Sequence, residues 1–398
     1  MPLFQRLIEA RRRRRVHSRF DSRARNVVRA VERNIKFLLS SPLGWLLRPK
    51  RARLPLPLSE VSSIFILRHD ALGDAVLTTP VWRAVKRLAP HIRIGVAGSP
   101  RSRPLFEHDP DVDETFAFTK APSLSLLREL FRARRTKWDV VLNLNYHDKT
   151  RGAIFAKIIA PNGVSLTGVR GKREKYLRIY SEVVDRPPIP APMVWQNLLV
   201  LKAAVDLPID VETEWPDLPN FPEVSKEVEP EIKEILQRSG TKCYIIINTD
   251  ASQLYREWGV ANSIELARKI VSSHPDLHVF LSSAPSRASA LRELLASEPS
   301  TISYLETPSI LHLASAIRGA VIAVTPDTSV THFATAQRVP VVGLFFEENE
   351  FLPIGAPSRV LIPSDRKTMS LLTVEQVYQA LEDLLEETKE ASSIASAD

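Results

Sequence analysis

The chain has 398 residues, 44% of them hydrophobic and 25% charged, which suits two soluble domains, each with its own core. Its one cysteine, Cys243, excludes an intramolecular disulfide and a thiolate zinc cluster, and fits a reducing, cytoplasmic compartment. The formal charge of +8 is unevenly placed: sixteen Lys and Arg face three Asp and Glu up to Leu58, so residues 59–398 sum to −5, which excludes a nucleic-acid groove across the body.

Residues 1–58 read as a basic N-terminal arm and linker. Phe20, Ala24, Val27, Val28, Val31, Ile35, Leu38 and Leu39 recur on one face of a helix, and arginines fill the rest. A basic amphipathic helix suits an anionic membrane surface or packs on the body as a solvated helix. The proline-rich RPKRARLPLPLSE reads as the linker. No apolar run follows Arg11–Arg15, so no signal peptide is expected. No stretch nears the roughly 20 apolar residues of a membrane span.

From Ser59 short apolar runs alternate with amphipathic stretches. The pattern predicts strands over Ile64–Leu67, Ile92–Ala97 and Val140–Leu144, and helices over Ala75–Leu88, Leu124–Arg134, Thr150–Ile159 and Trp195–Ala204. Frequent prolines between Pro187 and Pro222 place a domain boundary near residues 215 and 216. The alternation then restarts. Strands are predicted over Tyr244–Asn248, His278–Leu281, Val321–Val324 and Val341–Phe345. Helices are predicted over Ser263–Ser272, Arg287–Ala296, Ile310–Arg318, Val330–Ala336 and Val374–Lys389, with a disordered tail over 391–398. The expected class is α/β, with two doubly wound domains, 59–215 and 216–390, facing a cleft.

Neither first strand is followed by G-x-G-x-x-G, and G-x-x-x-x-G-K-[ST], G-x-S-x-G and H-E-x-x-H are absent. The segment VIAVTPDTSVTHFATAQRVPVVGLFF offers a different anion site. It reads as strand, turn, helix, strand. Thr328, Ser329 and Val330 would present backbone N–H groups at the helix start, Thr328 and Ser329 would add hydroxyls, and His332 lies one turn on. Alone, the segment reads equally as helix capping by Asp327 or Thr328.

ILRHDALGDAVLTTPVWRAVKRLAP and AVTPDTSVTHFATAQRVPVVGLF together resemble the heptosyltransferase-type glycosyltransferases of family 9, over roughly Val61–Pro363. The hallmarks are L-G-D-x-x-x-x-T-P early in the first domain and D-T-G-x-x-H-x-A-x-A in the second. The resemblance implies a GT-B fold, with two Rossmann-like domains, the acceptor on the first and the nucleotide-sugar donor on the second. It also implies inverting transfer without a metal or other cofactor. Asp74 would be the base that takes the acceptor proton, with Gly73 letting the backbone turn tightly enough to aim it. Arg256, two residues before Trp258, would pair with the donor phosphates beside Asp327, Thr328, Ser329, Val330 and His332. His147 and Asp148, after the third strand, are acceptor-side candidates with Gly73.

The chain departs from the family at three places. Ser329 replaces the D-T-G glycine, Phe346-Glu347-Glu348-Asn349 replaces a small turn, and Ala284-Pro285-Ser286-Arg287 stands where a ribose-binding acid is usual. Asp109, Asp111 and Asp113 form D-x-D pairs, but the family has a metal-free turn there, so no metal site is expected. The reading is a cytoplasmic enzyme peripheral to the inner membrane, held to its anionic surface by residues 1–58. It would move heptose from ADP-heptose to a lipid-linked saccharide such as lipopolysaccharide core, with no nucleic-acid partner. The alternatives are a family member with a different nucleotide-sugar donor, or a catalytically silent membrane scaffold.

Overall fold

Two six-stranded parallel sheets organise the chain in a computed structural model that describes residues 52–147, 149–171, 175–189, 191–210, 228–237, 240 and 243–395. The basic arm up to residue 51, Asp148, and the boundary expected near residues 215 and 216 lie outside the described residues.

In chain order the first half runs Leu56–Pro57 (β1), Ser63–Arg68 (β2), Leu72–Val76 (α1), Thr79–Leu88 (α2), Arg93–Gly98 (β3), Arg103–Glu107 (α3) and Glu114–Ala117 (β4). It continues with Leu124–Arg134 (α4), Val140–Asn143 (β5), Lys149–Ile159 (α5), Val164–Val169 (β6), Glu182–Asp185 (β7), Met193–Ala204 (α6) and Val205–Asp206 (β8). The sheet order is β4-β3-β2-β5-β6-β7. Every residue of β2 is buried, because the run Ile64-Phe65-Ile66-Leu67 packs on both faces of the sheet.

The second half runs Glu229–Gln237 (α7), Tyr244–Asn248 (β9), Val260–Ser273 (α8), His278–Ser282 (β10), Ala288–Leu295 (α9), Ile302–Tyr304 (β11) and Ile310–Arg318 (α10). Ile322–Pro326 (β12), Ser329–Ala336 (α11), Val341–Leu344 (β13), Ser358–Leu361 (β14) and Val374–Ala395 (α12) complete it. The order β11-β10-β9-β12-β13-β14 repeats that of the first sheet.

In both halves the order reverses between the first and fourth strands, at β2 and β5 and at β9 and β12. Open α/β sheets bind ligands outside the carboxyl ends of the strands at such a switch point. Two Rossmann-like domains so arranged make a GT-B fold. The reversals single out the turns after Arg68, Asn143, Asn248 and Pro326.

Four departures from the expected elements have physical causes. The helix expected over Ala75–Leu88 is two helices, because Pro80 lacks the N–H that would bond back to Val76. Thr79 Oγ1 takes that carbonyl at 2.9 Å and Thr78 Oγ1 takes the Asp74 carbonyl at 2.8 Å, so the break is fully bonded. The linker ends in a parallel ladder, Leu56 opposite Val205 and Pro57 opposite Asp206, and Leu54, Leu56 and Leu58 pack on the core. Strands β4, β7, β11 and β14 are short and mix polar with apolar residues, and β6 interrupts its apolar run with Ser165, Thr167 and Gly168, so none of the five reads as a strand in the sequence. Helix α12 runs to Ala395, into the stretch read as a tail.

The D-x-D carboxylates are structural. Arg83 grips both oxygens of Asp109, at 2.5 and 2.8 Å, and Trp82 Nε1 donates to it at 3.1 Å. Asp113 accepts from the Ile94 amide at 2.7 Å and from Lys86 at 2.9 Å. Together they pin α2 to the chain entering β4.

Candidate active site

The carboxyl end of β2 delivers Arg68, which is 1% exposed, and α1 then brings Asp74 back over it. Arg68 Nη2 donates to Asp74 Oδ1 at 2.8 Å, Nε donates to the Asp74 carbonyl at 3.0 Å, and Nη1 donates to the carbonyl of Leu144 at the end of β5. Asp70 lies 3.5 Å from the same guanidinium. Burial pushes the Asp70 carboxyl up to about 6, against the pull of Arg68, and its Oδ1 is buried without a hydrogen bond. The first-domain switch point therefore carries two carboxylates on one arginine.

Gly73 serves a different end from the one expected. Its backbone is ordinary helix, not a left-handed turn. A Cβ there would lie 2.5 Å from His332 Cδ2 and 3.5 Å from Ser329 Cα, so the missing side chain lets α1 approach α11 of the other domain. That approach sets Asp74 opposite the helix start of the second domain. His332 is buried, its Nδ1 has no hydrogen bond, and burial pulls its pKa down to about 4 against the charge of Asp74. It is a neutral imidazole near pH 7.

On the second domain Thr328 caps α11, its Oγ1 accepting from the Val330 amide at 3.2 Å. Of the donor amides expected, Val330 is thus already engaged, because the cap hydroxyl reaches the second helical residue. Ser329, at the first helical position, has no acceptor within the helix. Asn248, at the end of β9, donates to Thr328 Oγ1 at 3.1 Å and to Thr325 Oγ1 at 3.1 Å, tying the turn to the sheet. Arg256 Nη1 lies 3.0 Å from Asp327 Oδ2, so the turn's carboxylate is paired. Burial raises the Asp327 pKa, Arg256 opposes this, and the charge of Asp74 adds to it.

His147 is exposed in the turn after β5, and Asp148 is outside the described residues. Where a ribose-binding acid was missing, Arg287 is held by Asp250 at 2.7 Å and Glu257 at 2.9 Å, and Asp250 also accepts from the Ala284 amide at 2.7 Å. The bulky loop after β13 turns Phe346 onto Tyr255, ring centroids 5.9 Å apart and 18° from parallel. Its next residues reach the first domain: Glu350 accepts from the Met193 amide at 3.0 Å and pairs with Arg170 at 3.3 Å. Arg68, Asp70, Asn248 and Asp250 are not among the residues expected from the sequence, and Arg287 is expected only as part of a departure from the family. The available signal was a polar residue closing an apolar strand, as in Leu67-Arg68 and Ile247-Asn248.

Among the described residues no group of His, Cys, Asp and Glu has the arrangement of a metal site, and no helix is long and apolar enough to cross a membrane.

A sequence profile of glycosyltransferase family 9 (heptosyltransferase) matches residues 125–371. No curated protein matches the chain significantly. Among solved structures, the chain is similar to a family 9 glycosyl transferase from Veillonella parvula, with TM-score 0.66, 20% identity, and coverage of 82% of this chain and 97% of that one. E. coli ADP-heptose lps heptosyltransferase II gives 0.64 at 18% identity, covering 82% and 99%. E. coli heptosyltransferase WaaC with ADP gives 0.62 at 15% identity, covering 81% and 98%. At these identities the structural likeness is one of fold.

Proposed function

The chain belongs to glycosyltransferase family 9, and from that premise we propose that it is an inverting, metal-independent transferase that moves heptose from ADP-heptose to a lipid-linked saccharide such as lipopolysaccharide core. The observation that carries the mechanism is the approach of Asp74 to the start of α11 through the Gly73–His332 contact.

Arg68 occupies Oδ1 of Asp74, and among the described residues none donates to Oδ2. In this reading Oδ2 takes the proton of an acceptor hydroxyl as that oxygen bonds to the anomeric carbon. The bond from that carbon to the β-phosphate oxygen breaks, with inversion, and its electron pair leaves on the nucleoside diphosphate. The Ser329 amide, the positive end of α11 and the remaining Arg256 donors would take up that charge in place of a cation. Neutral His332 fits beside the reacting groups without adding a second cation to the one that Arg68 already sets on Asp74. The solved relative bound to ADP supports an adenine nucleotide donor. Arg287 clamped by Asp250 and Glu257 favours a second reading, a different nucleotide sugar, because the turn presents a cation where the ribose acid is usual. The enzyme is proposed to work in the cytoplasm at the inner membrane, with residues 1–58 on its anionic surface.

The test is release of nucleoside diphosphate from a panel of nucleotide sugars, with and without a lipid-linked saccharide acceptor. Acceptor-dependent release from ADP-heptose supports the proposal, and release from another donor selects the second reading. Binding of nucleoside diphosphates without turnover of any donor would leave a scaffold.

A further inference from the structure

Helix α4 covers the first sheet with Leu126, Leu130 and Ala133, which are buried. Its other face is apolar too. Leu124 is 83% exposed, Leu127 50% and Phe131 61%. At about 100° per residue, these three fall within roughly 60° of one another, on a stripe centred about 120° round the helix from the buried one. The same geometry puts Arg128, Arg134 and Arg135, all exposed, on the flanks of the exposed stripe. Exposed Lys120 and Lys137 lie just beyond the two ends of the helix. The helix's one acid, Glu129, is turned aside and bound by Arg132 at 2.6 Å.

We propose that this face of α4 is a membrane contact that seats the first domain on an anionic lipid bilayer. Large apolar side chains clustered on one exposed helix face mark an interaction surface. A helix lying in the interface needs this composition, leucine and an aromatic between arginines. Charge selects the occupant. A second copy of the face would bring like charges together, and the arm up to Leu58 carries a net +13 of the same sign. Anionic headgroups complement the arginines, while the acyl boundary takes Leu124, Leu127 and Phe131.

The position of the helix gives the contact a use. The loop from β4 to α4 begins at Phe118, whose ring lies 6.0 Å from that of His69, the residue after Arg68. Helix α4 therefore starts at the carboxyl edge of the sheet, the edge that carries Asp74. A bilayer held there lies beside the acceptor side of the cleft.

The contact is independent of donor chemistry, so its test reads binding and not turnover. In the full chain, an environment-sensitive dye goes on the thiol introduced by Leu127→Cys with Cys243→Ser. In a control protein it goes on native Cys243, which is exposed on the other domain. With vesicles of phosphatidylglycerol and phosphatidylcholine, the dye at position 127 should shift to the blue and lose its quenching by aqueous iodide. The dye on Cys243 should not change. The triple variant Leu124→Ser, Leu127→Ser, Phe131→Ser should keep the wild-type melting temperature and partition to these vesicles at least about threefold less. A dye at 127 that stays quenchable on vesicle-bound protein overturns the proposal. So does shielding without vesicles, whether it grows with protein concentration (a second copy) or not (the arm), and so does undiminished partition of the triple variant.

Discussion

Arg68 fixes Asp74 at two points, its Nη2 on the carboxylate at 2.8 Å and its Nε on the carbonyl of the same residue at 3.0 Å. The third donation, to Leu144, anchors the guanidinium to the neighbouring strand end. Side chain and backbone of Asp74 are therefore held together before any acceptor arrives, which lowers the cost of orienting a base. Asp74→Asn keeps the size of the side chain and an oxygen for Arg68, and removes the base. Turnover should fall at least about 10²-fold, while nucleoside diphosphate affinity and melting temperature stay near wild type. Product release kinetics beside calorimetry would show this, and an unchanged turnover would remove Asp74 from the chemistry.

Gly73→Ala tests the approach of the two domains. The new methyl would fall 2.5 Å from His332 Cδ2, inside any tolerable contact. Overpacking of this kind costs about 1–3 kcal/mol, and here it would also move Asp74 away from α11. Urea unfolding should show the loss, and turnover should drop with it. His332→Ala in the same chain should return part of the stability, because the clash is specific to that ring. A double-mutant cycle with coupling below about 0.5 kcal/mol would mean the domains part without strain and Gly73 is dispensable.

Arg256 bears on the donor. It pairs with Asp327 at 3.0 Å and is about a third exposed, so part of its guanidinium can reach a phosphate. Arg256→Ala should weaken nucleoside diphosphate binding by about 1.5–3 kcal/mol, as measured by titration calorimetry, and should slow transfer. Activity should persist in EDTA. Activity lost in EDTA and restored by Mg²⁺ would replace the metal-free mechanism with a cation-assisted one.

The periodicity of the chain reveals the alternation of strands and helices because buried parallel strands are continuous apolar runs. Ile64–Leu67 and Tyr244–Ile247 show this directly. Edge strands such as Glu182–Asp185 are half-exposed and polar, so their composition resembles a loop. Asp74 and the Asp327–His332 turn are legible because each is a local strand-to-helix junction with its own motif. Arg287 is not, since its meaning depends on Asp250 and Glu257, which reach it from another strand end. The purpose of Gly73 is hidden for the same reason: its neighbour His332 belongs to the other domain.

The pH dependence of stability tests Asp70, which is half-buried with its Oδ1 enclosed. Burial lowers His332 and His278 from 6.5 to about 4, and raises Asp70 from 3.8 to about 6. The histidines bind protons more readily when unfolded, so their stabilisation is complete above pH 6.5 and lost as the pH falls towards 4. Asp70 works the other way. Its folded form holds the proton, so its contribution is complete below 3.8 and lost as the pH rises through 6. Arg68, His69 and Asp74 on its own turn all act on this group. Between pH 4.5 and 5.5 two histidines therefore oppose one carboxyl, and stability should fall with acid. Asp70→Asn removes the opposing group. Over that interval its stability should fall more steeply than wild type by up to about 1.4 kcal/mol per pH unit, one proton's worth. Urea unfolding of both proteins across the interval measures the difference. Parallel curves would mean that Asp70 titrates as an ordinary surface carboxylate and that Arg68 serves Asp74 alone.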